Sequence, residues 1–352
     1  ISMGYAQIAG LPAVYGLYGS VFPILIFALF STSPQFIFGV DAAPAALIGS
    51  ALAGLNITAG STEALVAVPM LTFFVALWLL IFSLLKAGKL VNYISAPVMG
   101  GFITGICTTI ILMQVPKLMG GTAGTGEFFE LAEHIIKTAA VINLPSVVMG
   151  LLALAILLIC KKAAPKFPMA VVLMVAGAIM TKLLPVEEWG IQTLASVETG
   201  LPKWSLPDFT AVPIQDAVTI SLSVAVVIMA ETLLAENSFA QKNGYRINDN
   251  QEILAFSMGN LAAALTGYCP MNGSVSRTAM GEQYQAKTQL TGIVAGLYMI
   301  VLLLCATGFI GYLPIPVLTA IVISALLGAT EFELAVRLWK VSRTEWVCCI
   351  SH

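Results

Sequence analysis

Apolar runs separated by short polar breaks dominate the chain. A run of about 20 mainly apolar residues is long enough to cross a bilayer as a helix. Read this way, the chain opens in a partial run at 1–11 and continues with runs at 14–30, 64–85, 94–113, 144–160 and 167–184. After a polar stretch at 185–208 come runs at 214–236, 252–268, 290–310 and 316–329. Two more are abnormally short, at 39–47 (within a small-residue stretch reaching 55) and at 274–280. Each follows a Gly or Pro break: Pro34 and Gly39 for the first, Pro270 and Gly273 for the second. The breaks lie 234 residues apart, and the long runs after them are offset by about 225. Broken segments at matching positions in two halves predict an inverted-repeat transporter with its site at the midplane. Two ordinary irregular loops are the alternative. An amphipathic pattern at 331–341 predicts an interfacial helix.

Composition agrees with lipid as the solvent. Of 352 residues, 59% are hydrophobic and 10% charged, with mean hydropathy +0.94. A soluble domain carries about 25% charge. This excludes a soluble enzyme and a disordered chain. A net charge of −2 gives no platform for nucleic acid. The Lys and Arg residues test the spans. If the chain enters from the cytoplasm and every run crosses, eleven fall inside and four outside, with Arg277 in the membrane zone. The positive-inside rule is satisfied. The acidic stretches 127–133 and 187–198 then read as outer loops, with His134 in a polar loop. The stretch 120–126 is Gly-rich but lacks a phosphate-loop ending. The six cysteines form no CxxC pair and read as buried apolar residues. With only His134 and His352 besides, no metal or cofactor is expected. The start at Ile1 inside an apolar run, and the new run at 346–350, suggest a fragment of a longer polytopic chain.

A charge inside a membrane needs a reason. Arg277 lies in Gly-Ser-Val-Ser-Arg-Thr (273–278), where the second short helix begins. A helix N-terminus carries unsatisfied N–H groups and partial positive charge. The hydroxyls of Ser274, Ser276 and Thr278 and the cation of Arg277 add to it. Together they predict an anion site; the alternative is that Arg277 pairs with a membrane carboxylate. Asp41, with Ala42 and Ala43 behind it, opens the first short helix and reads as its cap. Glu231, deep in an apolar helix, could carry a proton, ligate sodium or neutralise Arg277. Glu236 lies nearer the cytoplasmic end and reads as solvated.

These residues resemble a known family. Met-Gly-Tyr-Ala-Gln-Ile-Ala-Gly-Leu-Pro (3–12), Ser-Pro-Gln-Phe-Ile-Phe-Gly-Val-Asp-Ala (33–42) and Ala-Pro-Val-Met-Gly-Gly-Phe-Ile-Thr-Gly (96–105) are similar to segments of the SulP anion transporters, the sulfate permease family. So are Ala-Gln-Lys-Asn-Gly-Tyr-Arg (240–246), Asn-Gln-Glu-Ile (250–253) and Pro-Met-Asn-Gly-Ser-Val-Ser-Arg-Thr-Ala (270–279). The resemblance runs along nearly the whole chain in the right order. It implies an all-α polytopic membrane fold of 7+7 inverted repeats, fourteen segments when complete and about twelve here. Two half-helices meet at the midplane, and a core moves against a gate. Residues 1–86 and 214–311 would form the core. The gate would comprise 87–213, with an outer linker, and 312–352. The family's cytoplasmic STAS domain would be absent.

By the same resemblance the anion lies between the third and tenth helices. Tyr5, Asp41, Ala42, Ala43, Ser274, Val275, Ser276, Arg277 and Thr278 would surround it, with Glu231 as the coupling acid. The chain departs from the family at Ile1, often a site glutamine, and at Val40, with proline displaced to Pro44 and Ala45 for a common serine. Sodium-coupled bicarbonate members carry Asp at Glu231 and Thr at Ala235, so protons are the better expectation here. The implied function is proton-coupled uptake of a small inorganic anion, sulfate foremost, with bicarbonate, chloride or dicarboxylate as alternatives. An uncoupled anion channel is the rival of another class. A nucleobase symporter fits poorly with Arg277, and no enzyme motif is present. The resemblance also implies a multi-pass protein of the cell membrane (bacterial inner membrane), dimeric when full length.

Overall fold

A computed structural model describes residues 2–89, 96–122, 128–164, 167–186, 188–194, 200–283, 285–305 and 307–329. The expected interfacial helix at 331–341 lies outside the described residues, as does Ile1. The described residues are mostly helical, with one two-stranded ribbon among them. Among the described residues, four helical stretches are long and apolar enough to cross a membrane: Ala13–Phe30, Thr62–Leu84, Leu144–Ala163 and Ile214–Asn243. Polarity is inverted relative to a soluble protein. Leu151, Leu152, Ile159, Val171, Val294 and Val301 are each more than half exposed, while Glu231, Glu236, Glu252, Asn260 and Asn272 are buried. In lipid, buried backbone and side-chain polar groups must find partners inside the protein.

The chain divides into two compact units, each described by itself. The larger is built from 2–106 and 201–301. It holds α1 (Ser2–Ile8), α2 (Ala13–Tyr18), α3 (Phe22–Phe30), β1 (Phe38–Gly39), α4 (Ala42–Gly54) and α5 (Thr62–Leu84), with the first part of α6 (Ala96–Leu118). From the second half come α10 (Ile214–Asn243), α11 (Asp249–Leu265), β2 (Asn272–Gly273), α12 (Val275–Gln283) and most of α13 (Leu290–Cys305). The expected run 14–30 is broken: Gly19 ends α2 and the chain turns before α3. An alanine methyl at Gly19 would stand 2.4 Å from the Tyr268 ring, so the turn packs where only glycine fits.

Small side chains let α11 press against α5. The buried face of α11 contains Ala255, Gly259, Ala262 and Ala263, and Ser257 Oγ donates to Ala76 O of α5 at 2.8 Å. Thr72 Oγ1 donates to Tyr268 O at 2.9 Å, tying α5 to the chain that leaves α11. α10 runs 30 residues to a left-handed cap at Gly244. That is two turns beyond the expected end at 236, a difference that matters below.

The smaller unit comprises described residues of 107–200 and 302–329. It contains the rest of α6, then α7 (Phe128–Ala139), α8 (Leu144–Ala163), α9 (Met169–Leu183) and α14 (Ile315–Ala329). Ala153 and Leu157 of α8 pack with Val317, Ala320 and Ile321 of α14. Asn143 caps α8, accepting from Ser146 N at 2.9 Å, and its Nδ2 donates to Trp189 O. The polar loop expected around His134 is instead the helix α7. Its apolar and charged residues segregate to opposite faces, which a count of acidic residues hides.

Candidate anion site at the two broken helices

The two short segments meet. β1 and β2 pair antiparallel, Phe38 opposite Gly273 and Gly39 opposite Asn272. Ser274 N donates to Ile37 O at 2.9 Å, and Ile37 N donates to Thr278 Oγ1 at 3.0 Å. Unwound backbone inside a membrane survives only when its polar groups are met in this way. The consequence is geometric: α4 and α12 start next to one another, each at the end of a paired strand.

Surrounding helices lock the ribbon. Phe38 joins a cluster of near-parallel rings with Phe27 of α3, at 4.7 Å and 14°, and Phe256 of α11, at 6.3 Å and 5°, the latter two being 6.0 Å apart. Asn260 treats Met271 as a strand would: its Oδ1 accepts from Met271 N at 2.7 Å and its Nδ2 donates to Met271 O at 3.0 Å. From α10, Thr232 Oγ1 accepts from Gly273 N at 3.1 Å, and Glu231 Oε2 accepts from Asn272 Nδ2 at 2.9 Å. Two glycines make room. A methyl on Gly273 would stand 1.9 Å from Phe36, and one on Gly39 would stand 2.6 Å from Nη1 of Arg277.

The structure draws several expected site residues together. Asp41 is the N-cap of α4, accepting from Ala42 N at 2.8 Å, as the sequence predicts. The Ser274 hydroxyl also reaches its carboxylate, linking the two breaks. Ala42 and Ala43 form the buried first turn behind it. Arg277 donates to Val40 O. Among the described residues its guanidinium makes no ion pair with a carboxylate within 4.0 Å, although Asp41 lies close enough to feel its charge. Thr278 is spent on structure, donating to Ser274 O at 2.7 Å while accepting from Ile37 N. Val275 is exposed. The Ser276 side chain lies outside what the structure describes. Tyr5 is buried in α1, which packs against α4.

Sequence reasoning missed the parts played by Asn272, Thr232 and Asn260. The usable signal was chemical: an amide or hydroxyl beside a break in an apolar chain must be hydrogen-bonded to something. One expectation is overturned. Glu236 is not solvated but fully buried. The reason is the extra length of α10, which places it well inside the helix.

No cluster of three or more His, Cys, Asp or Glu able to hold a metal occurs among the described residues. A family model described as the sulfate permease family matches residues 1–352. The chain belongs to the sulfate permease family. It is 31% identical over 357 residues to sulfate transporter 4.1 (chloroplastic) of Arabidopsis thaliana, covering 98% of this chain and 51% of that protein. It is 27% identical over 351 residues to a protein named probable sulfate transporter of Mycobacterium tuberculosis, covering 99% of this chain and 62% of the relative. The chain therefore spans about half to three-fifths of these relatives. Its fold matches the transmembrane domain of a cyanobacterial bicarbonate transporter, BicA, with a TM-score of 0.86 at 21% identity, over 99% of this chain and 89% of the other. The murine anion transporter Slc26a9 in its inward-facing state gives 0.87 at 22% identity, over 99% and 60%. The family comprises membrane anion transporters, not enzymes.

Proposed function

We propose that this chain is the transport unit of a secondary active transporter of small inorganic anions, sulfate foremost, working by alternating access with a proton bound at Glu231. One observation carries the reading: the β1–β2 pairing sets the N-termini of α4 and α12 side by side, with the Arg277 guanidinium against Gly39. Two helix starts supply N–H groups and partial positive charge to one spot. Arg277, free of ion pairs among the described residues, adds a whole charge. Relatives named as sulfate transporters, at 27–31% identity, favour sulfate over bicarbonate.

In this reading the larger unit is the core and the smaller the gate, each built from segments of two sequence halves that form the inverted repeat, and the assembled protein is a dimer in the cell membrane. The anion exchanges its hydration shell for backbone N–H groups and hydroxyls at Ser274 and Ser276, beside Tyr5, Ala42, Ala43 and Val275. Asp41 caps α4, and Thr278 holds the strand pair in register. Glu231 is buried beside Asn272, whose Oδ1 is buried without a donor. A proton on Glu231 would lower the negative charge near the anion and offer that amide oxygen a donor. Entry of the anion and of the proton then favour each other.

Radiolabelled uptake into proteoliposomes containing the full-length protein tests this. Sulfate uptake should exceed bicarbonate and dicarboxylate uptake, depend on an inward proton gradient, and fall at least tenfold in Arg277→Ala. Uptake indifferent to the gradient in both wild type and Glu231→Gln would mean an uncoupled conduit. Unchanged uptake in Arg277→Ala would remove the site.

A further inference from the structure

A second group of buried acids lies apart from the anion site, where α10 and α11 meet the turn between α3 and β1. Glu252, in the first turn of α11, is fully buried and gathers donors from that turn. Its Oε2 accepts from Ser31 Oγ at 2.9 Å, and its Oε1 accepts from Ser33 N at 3.0 Å and from both the backbone N–H and the hydroxyl of Thr32. Four donors on two oxygens describe an ionised carboxylate that has replaced its water.

Glu236 is the opposite case. It is also fully buried, yet among the described residues no donor group reaches either carboxyl oxygen. Its neighbours make this worse. Glu252 approaches it within hydrogen-bonding range, carboxyl to carboxyl, and Asp249 adds a second negative charge. Among the described residues no cation faces it from the packed elements. Lys242 of α10 is committed to Glu282 at 2.6 Å, and Lys86, Lys89 and Arg246 are exposed. From α11, Asp249 accepts from Asn237 at 3.2 Å. Beyond α10, Tyr245 closes the cluster with its hydroxyl 3.5 Å from Ser33 Oγ, and burial holds that phenol above its ordinary pKa, so it stays uncharged. The turn 31–33 brings no charge.

Two carboxylates in contact cannot both stay ionised in a dry site. Both are acceptors, so only a proton between them makes a bond. We propose that Glu236 and Glu252 form a proton-binding pair that holds one proton, carried on Glu236 and donated to Glu252, separate from Glu231 and the anion site. A metal ion does not suit the position, because the N–H and O–H groups aimed at Glu252 present positive ends where a cation would sit. The pair fastens α10 to the turn that leads into β1. Losing the proton to water leaves two buried negative charges pushing that junction apart. Glu236 lies five residues beyond Glu231 on the same helix, about 7.5 Å along its axis, on the side that the cation count places toward the cytoplasm. The junction is therefore built to loosen as cytoplasmic pH rises.

The test uses the full-length protein in detergent and compares wild type with Glu236→Gln. The amide keeps the shape and still donates to Glu252, but it cannot lose a proton. The folded wild type holds one more proton here than the unfolded chain, so its stability must fall as pH rises. The expected result is a melting temperature that drops between about pH 5 and about pH 9 in wild type, where an ordinary glutamate is ionised, with that drop reduced by one proton's worth of slope in Glu236→Gln. Infrared spectroscopy in a Glu231→Gln background should show a buried carboxylic C=O band that disappears when Glu236→Gln is added. Equal pH slopes in both proteins would overturn the proposal. If Glu236→Gln fails to fold, absence of the band from the Glu231→Gln protein would overturn it equally. A sodium-dependent melting temperature that Glu236→Gln abolishes would also do so, by making the pair a cation site.

Discussion

The Arg277 guanidinium packs directly over the backbone of Gly39. An alanine methyl there would stand 2.6 Å from Nη1 and 3.1 Å from Cζ. The cation of one broken helix is thus seated against the break of the other. Gly39→Ala should displace the guanidinium while leaving the ribbon hydrogen bonds in place. The expected outcome is at least a tenfold loss of anion affinity, with a melting temperature close to wild type, read by radioligand binding and thermal unfolding. Affinity unchanged in this variant would mean that the position of Arg277 does not matter to the anion.

Arg277→Lys makes a related prediction. Lysine keeps the charge but is a point donor without the planar fork, so it cannot both reach Val40 O and face an anion with a second N–H. Binding should weaken severalfold, yet less than in Arg277→Ala. Equal loss in both variants would point to the geometry alone, and no loss in either would exclude the residue from the site.

Thr232 offers a probe of the ribbon that leaves charge untouched. Thr232→Val is nearly isosteric and removes the acceptor for Gly273 N. A buried backbone N–H left without a partner costs about 1–3 kcal/mol. The variant should melt earlier, and the amide of Gly273 should exchange faster than in wild type. Exchange at the wild-type rate would show that another group takes over the donor.

Much of this fold is legible in the sequence because lipid imposes a simple rule on helix length. The runs at 64–85, 144–160 and 316–329 become α5, α8 and α14 with ends shifted by a few residues. The two breaks are legible for the same reason, since runs of seven to nine residues cannot cross alone. The partners of the breaks are not. Nothing in the spacing says that Asn272 meets Glu231, or that Asn260 holds Met271, because these contacts join residues on different elements. Glu236 is misread because hydropathy marks where apolar character ends, whereas α10 continues to Asn243 on Asn, Ser, Phe and Ala. The helix α7 is hidden in the opposite way: its charges suggest a loop, although their spacing suits one face of a helix.

Asn260 gives the most stringent test of how the second break is held. Its carboxamide bonds both backbone groups of Met271, so it substitutes for the neighbouring strand that this residue lacks. Leucine has similar bulk and no polar atoms. Asn260→Leu would strand one N–H and one C=O in a fully buried position, at about 1–3 kcal/mol each. Asn260→Asp keeps the acceptor for Met271 N but loses the donor to Met271 O and, if ionised, adds a buried charge. The expected order of melting temperature is wild type above both variants. Lowering the pH should recover part of the loss in Asn260→Asp, because a protonated carboxyl can again donate, and none of it in Asn260→Leu. A pH-independent Asn260→Asp variant would mean that the bond to Met271 O contributes little, and that Phe38 stacking alone keeps the ribbon in place.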